Sequence, residues 1–201
     1  MRIGLDFDNT LVSYDDAFAD VGREEGLLPI DFAGDKEAVR TVLLQRRPDG
    51  LLWESLQGQV YGRQIGRAKL FDGAREFLSR CRDEAGFEIY VISHKTKFAH
   101  HDPFGTNLRK AAIGWMKCRG FFRQSDGFLN PAHVNFLDTR DAKVGRIAEL
   151  RCDLFVDDLI EVLENPSMPD NCRKIKFRGV PQSRFEQHQS WQEINDAVFA
   201  D

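Results

Sequence analysis

Short apolar runs alternate with stretches of helical periodicity along most of the chain. The apolar runs predict five strands, at residues 2–6, 87–92, 134–137, 154–156 and 175–177. Apolar side chains recur every three or four residues in the segments that predict helices, at 74–83, 107–119, 143–150 and 191–200. Strands that alternate with helices are typical of βα units. The pattern therefore predicts an α/β fold built on a parallel sheet.

The connection between the first two strands is too long for a simple crossover. About eighty residues separate Asp6 from Phe87, whereas a crossover needs roughly a dozen or two. This connection contains three further helical patterns, at 15–25, 36–46 and 51–61. We therefore predict a core domain of residues 1–13 and 71–201, with a small α-helical cap inserted at residues 14–70.

Composition and charge narrow the class of protein. The 201 residues are 42% hydrophobic and 30% charged, with a net charge of −4, which fits one globular domain with an insertion. No broad basic field favours a nucleic acid or an anionic membrane as partner. A local basic run, 173–178, is interrupted by apolar residues, so we expect a solvated strand edge there.

The cysteines and the first residues predict a reducing compartment. The four cysteines are far apart, with neither disulfide nor zinc-site spacing, at Cys81, Cys118, Cys152 and Cys172. The first residues do not fit a signal-peptide core, and the sequence contains no apolar run of membrane-spanning length. We expect a cytoplasmic protein.

Acidic residues follow the first predicted strand in the segment Asp6-Phe7-Asp8-Asn9-Thr10. Two carboxylates two residues apart on an emerging strand can point into one crevice, and parallel sheets bind ligands at this edge. Alternatively, Asp8 or Thr10 only caps the next helix.

Polar residues also follow the other predicted strands. Ser93 ends the second strand, Asp157 and Asp158 end the fourth, and Lys143 opens the helix before it. Together with the Asp6 segment, these positions resemble the four motifs of the haloacid dehalogenase-like superfamily, over residues 1–12 and about 70–200. The resemblance implies a Rossmann-like parallel sheet and a Mg²⁺-dependent phosphohydrolase.

The resemblance also implies a role for each residue. Asp6 is the expected nucleophile, which forms an aspartyl phosphate, and Asp8 is the expected general acid and base. Thr10 braces the loop, while Ser93 and Lys143 bind the phosphoryl group. The expected Mg²⁺ ligands are the Asp6 carboxylate, the Asp8 backbone carbonyl and Asp158, with Asp157 binding directly or through water.

The expected reaction is hydrolysis of a small-molecule phosphate monoester, because a closing cap excludes water and large substrates. A second acid at Asp8 favours phosphatases and phosphomutases over dehalogenases within the superfamily. A phosphomutase, a nucleic-acid end phosphatase and a non-catalytic binding module remain alternatives. Oligomeric state and the leaving group are not predicted.

Other residues are weaker candidates. In the cap, Gln57, Tyr61 and Arg63 form either a substrate-specificity loop or only a helix end. His94 and Lys95 either reach a substrate or lie in a solvated loop, and the loop is expected. A loop is also expected for the segment His100-His101-Asp102, which lacks metal-site spacing. The Arg109 side chain is expected to face water.

Overall fold

The computed structural model describes residues 1–180 and 184–200. In chain order the strands are β1 Arg2–Leu5, β2 Val12–Ser13, β3 Lys69–Leu70, β4 Glu88–His94, β5 Val134–Leu137, β6 Leu154–Asp157, β7 Arg173–Phe177 and β8 Glu186–His188. The α-helices are α1 Asp15–Glu24, α2 Lys36–Arg46, α3 Leu51–Tyr61, α4 Ala74–Asp83, α5 Leu108–Cys118, α6 Arg140–Glu149, α7 Ile160–Leu163 and α8 Trp191–Val198. Short 3₁₀ helices cover Ile65–Arg67 and Pro131–His133.

Six strands form one parallel sheet in the order β5-β4-β1-β6-β7-β8. The predicted α/β fold with a Rossmann-like parallel sheet is confirmed. Strand β1 is central, with Leu5 opposite Val91 of β4 on one side and Val156 of β6 on the other. One further hydrogen bond, from the Asp6 amide to the Val156 carbonyl at 3.0 Å, continues the β1–β6 ladder. This bond brings the residues that follow β1 and β6 to the same side of the sheet, at the carboxyl ends of its strands.

The centre of the sheet depends on a glycine. Gly4 lies in β1, and a Cβ at this position would be 2.6 Å from Cδ2 of Phe155 in β6. Phe155 is fully buried in a cluster with apolar residues of α6 and α7. The absence of a side chain at Gly4 therefore lets this ring pack against the central strand.

The chain divides into two compact units, the first of which holds the six-stranded sheet. The second unit comprises Ser13–Lys69 and Thr96–Arg119, and thus contains α1, α2, α3 and α5. The helices predicted at 36–46 and 51–61 form with those bounds, and the one predicted at 15–25 ends at Glu24. The sequence had assigned 96–119 to the core domain, whereas its contacts group it with the inserted helices.

A close backbone approach within the second unit explains this grouping. Gly58, in the middle of α3, is buried against the loop that precedes α5. A Cβ at Gly58 would lie 2.8 Å from Cβ of Asp102 and 3.2 Å from Cβ of Ala99. Because the loop occupies the space that a side chain would need, residues 96–106 pack on α3.

Several sequence predictions need correction. Helix α6 begins at Arg140, not at Lys143, because the Thr139 side chain accepts a hydrogen bond from the Ala142 amide as its N-cap. The basic run 173–178 is not a solvated strand edge. It forms β7, which has a neighbouring strand on each side, and Ile175, Lys176 and Phe177 are buried. Strands β2, β3 and β8 and helix α7 were not predicted.

All four cysteines are free thiols, and Cys118 is the exposed one. Burial raises the pKa of the Cys81 and Cys152 thiols to about 12 and that of Cys172 to about 11. Over residues 1–180 and 184–200, every helix falls short of the length and apolarity that a bilayer crossing requires.

Candidate active site

The loop after β1 folds into a tight turn that carries the first acidic motif. The amides of Leu11 and Val12 donate to the Phe7 carbonyl at 3.2 and 3.0 Å, and the Asn9 amide donates to the Val12 carbonyl at 2.8 Å. Asn9 has a φ of 61°, in the left-handed region that asparagine tolerates better than most residues. The turn holds Asp6 buried at the sheet edge and leaves Asp8 half-buried beyond it.

Lys143 joins the carboxylates that follow β1 and β6. Its Nζ donates to Asp6 Oδ1 and to Asp157 Oδ2, each at 2.6 Å. The lysine lies in the first turn of α6 and is 1% exposed. Three groups predicted from distant parts of the sequence are therefore in direct contact. Asp6 Oδ2 makes no hydrogen bond with residues that the structure describes.

Burial and neighbouring charges shift the pKa values of Lys143 and Asp157 in opposite directions. Burial alone lowers the pKa of Lys143, but the adjacent Asp6 and Asp157 carboxylates outweigh it, so the pKa is raised and the ammonium stays charged. For Asp157 burial is the larger effect, and it raises the pKa to about 6 even though Lys143 acts to lower it. A cation next to Asp157 would favour its ionised form.

The residues fit a divalent cation. One carboxylate oxygen each of Asp6, Asp157 and Asp158 lies within 4.8 Å of the others, and Mg²⁺ prefers such hard oxygen ligands. The Lys143 ammonium contacts two of these carboxylates, those of Asp6 and Asp157. A divalent cation would add positive charge to the cluster.

Thr10 braces the loop on the Asp158 side. The Thr10 hydroxyl accepts a hydrogen bond from the Asp158 amide at 3.1 Å and donates to Asp158 Oδ1 at 3.4 Å. Its carbonyl accepts a bond of 2.9 Å from the indole of Trp191 in α8. Thr10 is fully buried, so its polar groups fix the loop relative to β6 and α8, as a bracing residue would.

Lys95 was only a weaker candidate in the sequence analysis. The solvated loop expected for it is wrong, since Lys95 is 3% exposed. Its Nζ donates to both carboxylate oxygens of Asp8, at 2.9 and 2.6 Å. The only available signal was the position of Lys95 two residues after Ser93, because a side chain two residues further along an extended strand points to the same face.

Ser93 and His94 end β4. Ser93 is 1% exposed and lies two residues after Val91, the partner of Leu5. The parallel register therefore puts Ser93 at the sheet edge that carries Asp6. His94 is exposed, as predicted, and its Nε2 lies 3.1 Å from the Asp138 carbonyl oxygen.

The candidates in the second unit contact other residues of that unit. Tyr61 packs edge-on against Tyr14, with ring centroids 4.7 Å apart, while Gln57 is half-buried on the same helix. The exposed Arg63 bonds to Gln59 at 2.7 Å and to Glu25 at 3.1 Å. Its guanidinium carbon lies 3.8 Å from the ring centroid of Phe104, in the loop of residues 96–106.

The His100-His101-Asp102 segment serves the loop itself. The Asp102 side chain accepts hydrogen bonds from the amides of Phe104 and Thr106, at 3.1 and 2.7 Å. His101 Nε2 lies 3.5 Å from a carboxylate oxygen of Glu54. These local contacts account for the roles of Asp102 and His101 in the loop.

Comparisons with known proteins identify the fold. Neither a protein-family model nor a curated protein matches the chain. Among solved structures, a haloacid dehalogenase-like hydrolase from Streptococcus pneumoniae aligns over 98% of this chain and 97% of its own, with a TM-score of 0.60 and 14% identity. A HAD family hydrolase from Deinococcus radiodurans R1, with bound phosphate and sodium, aligns over 98% of this chain and 94% of its own, with a TM-score of 0.56 and 16% identity. A HAD-superfamily hydrolase from Ehrlichia chaffeensis aligns over 98% of this chain and 95% of its own, with a TM-score of 0.56 and 14% identity. The chain has the fold of the haloacid dehalogenase-like hydrolases.

Proposed function

We propose that the protein is a Mg²⁺-dependent phosphatase that hydrolyses a small phosphate monoester through a phosphorylated Asp6. The supporting observation is the contact of 2.6 Å between Lys143 Nζ and Asp6 Oδ1, which leaves Asp6 Oδ2 as the oxygen that attacks phosphorus. A carboxylate approaching an anionic phosphoryl group is repelled unless positive charge lies nearby. The buried, charged Lys143 supplies part of that charge.

Asp6, Asp157 and Asp158 would hold Mg²⁺, together with the backbone carbonyl of Asp8. The bound cation supplies electrostatic stabilisation of the phosphoryl oxygens. Asp157 would bind the cation directly or through a water molecule. The Deinococcus radiodurans relative is described with bound phosphate, which is consistent with phosphoryl groups as ligands of this fold.

Asp8 would carry the protons of both steps. In the first step its carboxyl group gives a proton to the leaving oxygen as the bond to phosphorus breaks. In the second step the Asp8 carboxylate takes a proton from the water that attacks phospho-Asp6. Expulsion of a halide would need no such proton, so a second acid at this position favours phosphate esters over haloacids. Ser93 would hydrogen-bond a phosphoryl oxygen.

Specificity for the non-phosphate part of the substrate is assigned to the inserted helices, the proposed cap of residues 14–70. Within it, Gln57, Tyr61 and Arg63 are the proposed contacts. Exchanging them should change KM among substrates much more than kcat with a generic substrate. A cytoplasmic location is also part of the proposal.

Phosphate release from a panel of phosphorylated metabolites tests the proposal. The panel is run with Mg²⁺ and with a chelator, for the parent and for Asp6→Asn, with Asp170→Asn as a control at an exposed acid. We expect Mg²⁺-dependent release that only Asp6→Asn abolishes. Release that survives Asp6→Asn would overturn the mechanism.

Two additions to the panel test the alternative activities. An end-phosphorylated oligonucleotide would be the better substrate if the protein were a nucleic-acid end phosphatase. Isomerisation of a sugar phosphate without phosphate release would indicate a phosphomutase. A non-catalytic binding module would leave every compound unchanged.

A further inference from the structure

Lys95 and Asp8 form an ion pair that the reaction proposed above does not by itself require. The Lys95 side chain is 2% exposed and that of Asp8 17%. Both carboxylate oxygens of Asp8 accept from Lys95 Nζ, at 2.9 and 2.6 Å. This charge-assisted contact of one ammonium with both oxygens fixes the position of the carboxyl group.

The lysine is itself held at both ends. Its amide donates to the Leu137 carbonyl at the end of β5, at 2.9 Å. Its Nζ lies 5.5 Å from the ring centroid of Phe7, which packs edge-on against Phe136 with centroids 5.8 Å apart. Since its backbone and ammonium are confined and its side chain is buried, Lys95 can hold Asp8 in one place.

We propose that Lys95 is a positioning residue that aims the Asp8 carboxyl group at the leaving oxygen of the substrate. The inference rests on the proposed function, because it requires Asp8 to transfer protons there. Lys95 keeps its own protons throughout. As general acid, Asp8 keeps one oxygen on Lys95 and carries its proton on the other. That proton moves to the leaving oxygen, which also takes the electrons of the broken phosphorus–oxygen bond, and the attacking water later returns a proton to the same oxygen of Asp8.

A positioning role for Lys95 predicts a dependence on the leaving group. An alkyl alcohol is a poor leaving group and needs the proton from Asp8, whereas p-nitrophenolate departs without one. Well-placed general acids contribute about 10²–10⁴-fold. Misdirecting Asp8 should therefore slow phosphoryl transfer from an alkyl phosphate and leave transfer from p-nitrophenyl phosphate nearly unchanged.

The test compares Lys95→Met and Lys95→Arg with the parent, and uses Lys97→Met as a matched control at an exposed lysine. Single-turnover rates are measured for alcohol release from the best alkyl ester of the panel and for p-nitrophenolate release, with Mg²⁺ present. In Lys95→Met we expect the alkyl rate to fall at least about tenfold more than the p-nitrophenyl rate. Lys95→Arg should recover part of the loss, because a guanidinium also binds a carboxylate through two donors.

A double-mutant cycle separates positioning from general damage. If Lys95 acts through Asp8, then adding Lys95→Met to Asp8→Asn should change the alkyl rate by less than about twofold. Thermal unfolding of each variant, and the p-nitrophenyl rate, report whether the fold survives the loss of a buried charge.

Each result has a defined meaning. Equal losses with both esters, or additive losses in the cycle, would overturn the positioning role while phosphatase activity of the parent stands. If Lys95→Met fails to fold, then Lys95→Arg decides alone, and equal losses in that variant overturn the role. A parent without Asp6-dependent release would overturn the proposed function, and the role of Lys95 with it.

Discussion

The indole Nε1 of Trp191 donates a hydrogen bond of 2.9 Å to the carbonyl oxygen of Thr10. Trp191 is fully buried, with the rings of Phe77 and Phe177 at centroid distances of 5.0 and 5.6 Å. Thr10 also contacts Asp158 through its hydroxyl group. Helix α8 therefore supports the loop that carries Asp6 and Asp8, although it supplies no proposed catalytic residue.

We expect Trp191→Phe to lower both stability and kcat. The variant keeps an aromatic ring but leaves the buried Thr10 carbonyl without its donor, a loss of about 1–3 kcal/mol. Urea denaturation and steady-state kinetics measure the two effects. Trp115→Phe is the matched control, because Trp115 Nε1 donates to the Ala68 carbonyl at 3.1 Å in the other unit. A smaller stability loss with unchanged kcat is expected there, because the Ala68 carbonyl also accepts a hydrogen bond from Arg119 at 2.6 Å. A kcat equally low in both variants would contradict the support role of Trp191.

Replacement of Lys143 should lower the free energy of unfolding by an amount that depends on Mg²⁺. Lys143→Met leaves Asp6 and Asp157 buried without their ammonium, and breaking a buried pair costs about 3–5 kcal/mol. A cation at the acidic cluster would offset part of this loss. Urea denaturation with Mg²⁺ and with a chelator measures the difference, with Lys110→Met as an exposed control. Equal losses in both solutions would argue against a cation beside Lys143.

Mg²⁺ should raise the thermal unfolding temperature of the parent. A ligand at 100 times its Kd stabilises the folded state by about 2.7 kcal/mol. Asp158→Asn removes one carboxylate of the cluster, so we expect the Mg²⁺-induced shift to shrink strongly, whereas Asp170→Asn should keep it. A full shift in Asp158→Asn would exclude Asp158 as a ligand.

The effect of Mg²⁺ should grow with pH. In the metal-free protein Asp157 has its pKa raised from 3.8 to about 6. The folded state therefore holds the proton more tightly than the unfolded state, and this stabilising contribution is lost as the pH rises to about 6. Cation binding requires the ionised form and so follows the opposite trend.

Thermal unfolding from pH 5 to 8, with and without Mg²⁺, measures both trends. We expect the Mg²⁺-induced shift to increase as the pH rises through about 6. In the absence of Mg²⁺, Asp157→Asn should remove the contribution of this residue to the pH dependence of the unfolding temperature. A shift that stays constant across the range would contradict a role for ionised Asp157 in binding.

Two glycines on different helices should respond oppositely to alanine. At Gly58 a new Cβ would lie 2.8 Å from Asp102 Cβ, and such overpacking costs about 1–3 kcal/mol. At Gly114 in α5 a Cβ meets nothing within 4 Å, so alanine should stabilise by up to about 1 kcal/mol. Denaturant unfolding measures both. A stabilised Gly58→Ala variant would mean that residues 96–106 do not pack tightly on α3.

Apolar periodicity was enough to predict the parallel sheet, because its central strands are buried on both faces. Strand β8 escaped prediction because its residues, Glu186-Gln187-His188, are polar and half-buried. Because β8 was not predicted, its neighbour β7 was expected to be an edge strand of the sheet. The grouping of residues 96–119 also depends on a contact between distant segments, which periodicity does not reveal.

The candidate site was predictable where charged residues follow strands directly. Asp6 and Asp157 come together because the parallel register aligns the ends of β1 and β6, and the first turn of α6 brings Lys143 to both. Lys95 was ranked as a weaker candidate because a lysine beyond a strand usually faces water. Only the position of the Asp8 carboxylate shows why this lysine is buried.

The strand order also bears on when the protein becomes competent during its synthesis. Strand β1 is synthesised well before β6, Leu154–Asp157, although the two strands are neighbours in the finished sheet. A nascent chain that stops short of β6 carries Asp6 and Lys143 but lacks two of the three clustered carboxylates. The carboxylate cluster can thus form only after β6 and Asp158 have been synthesised.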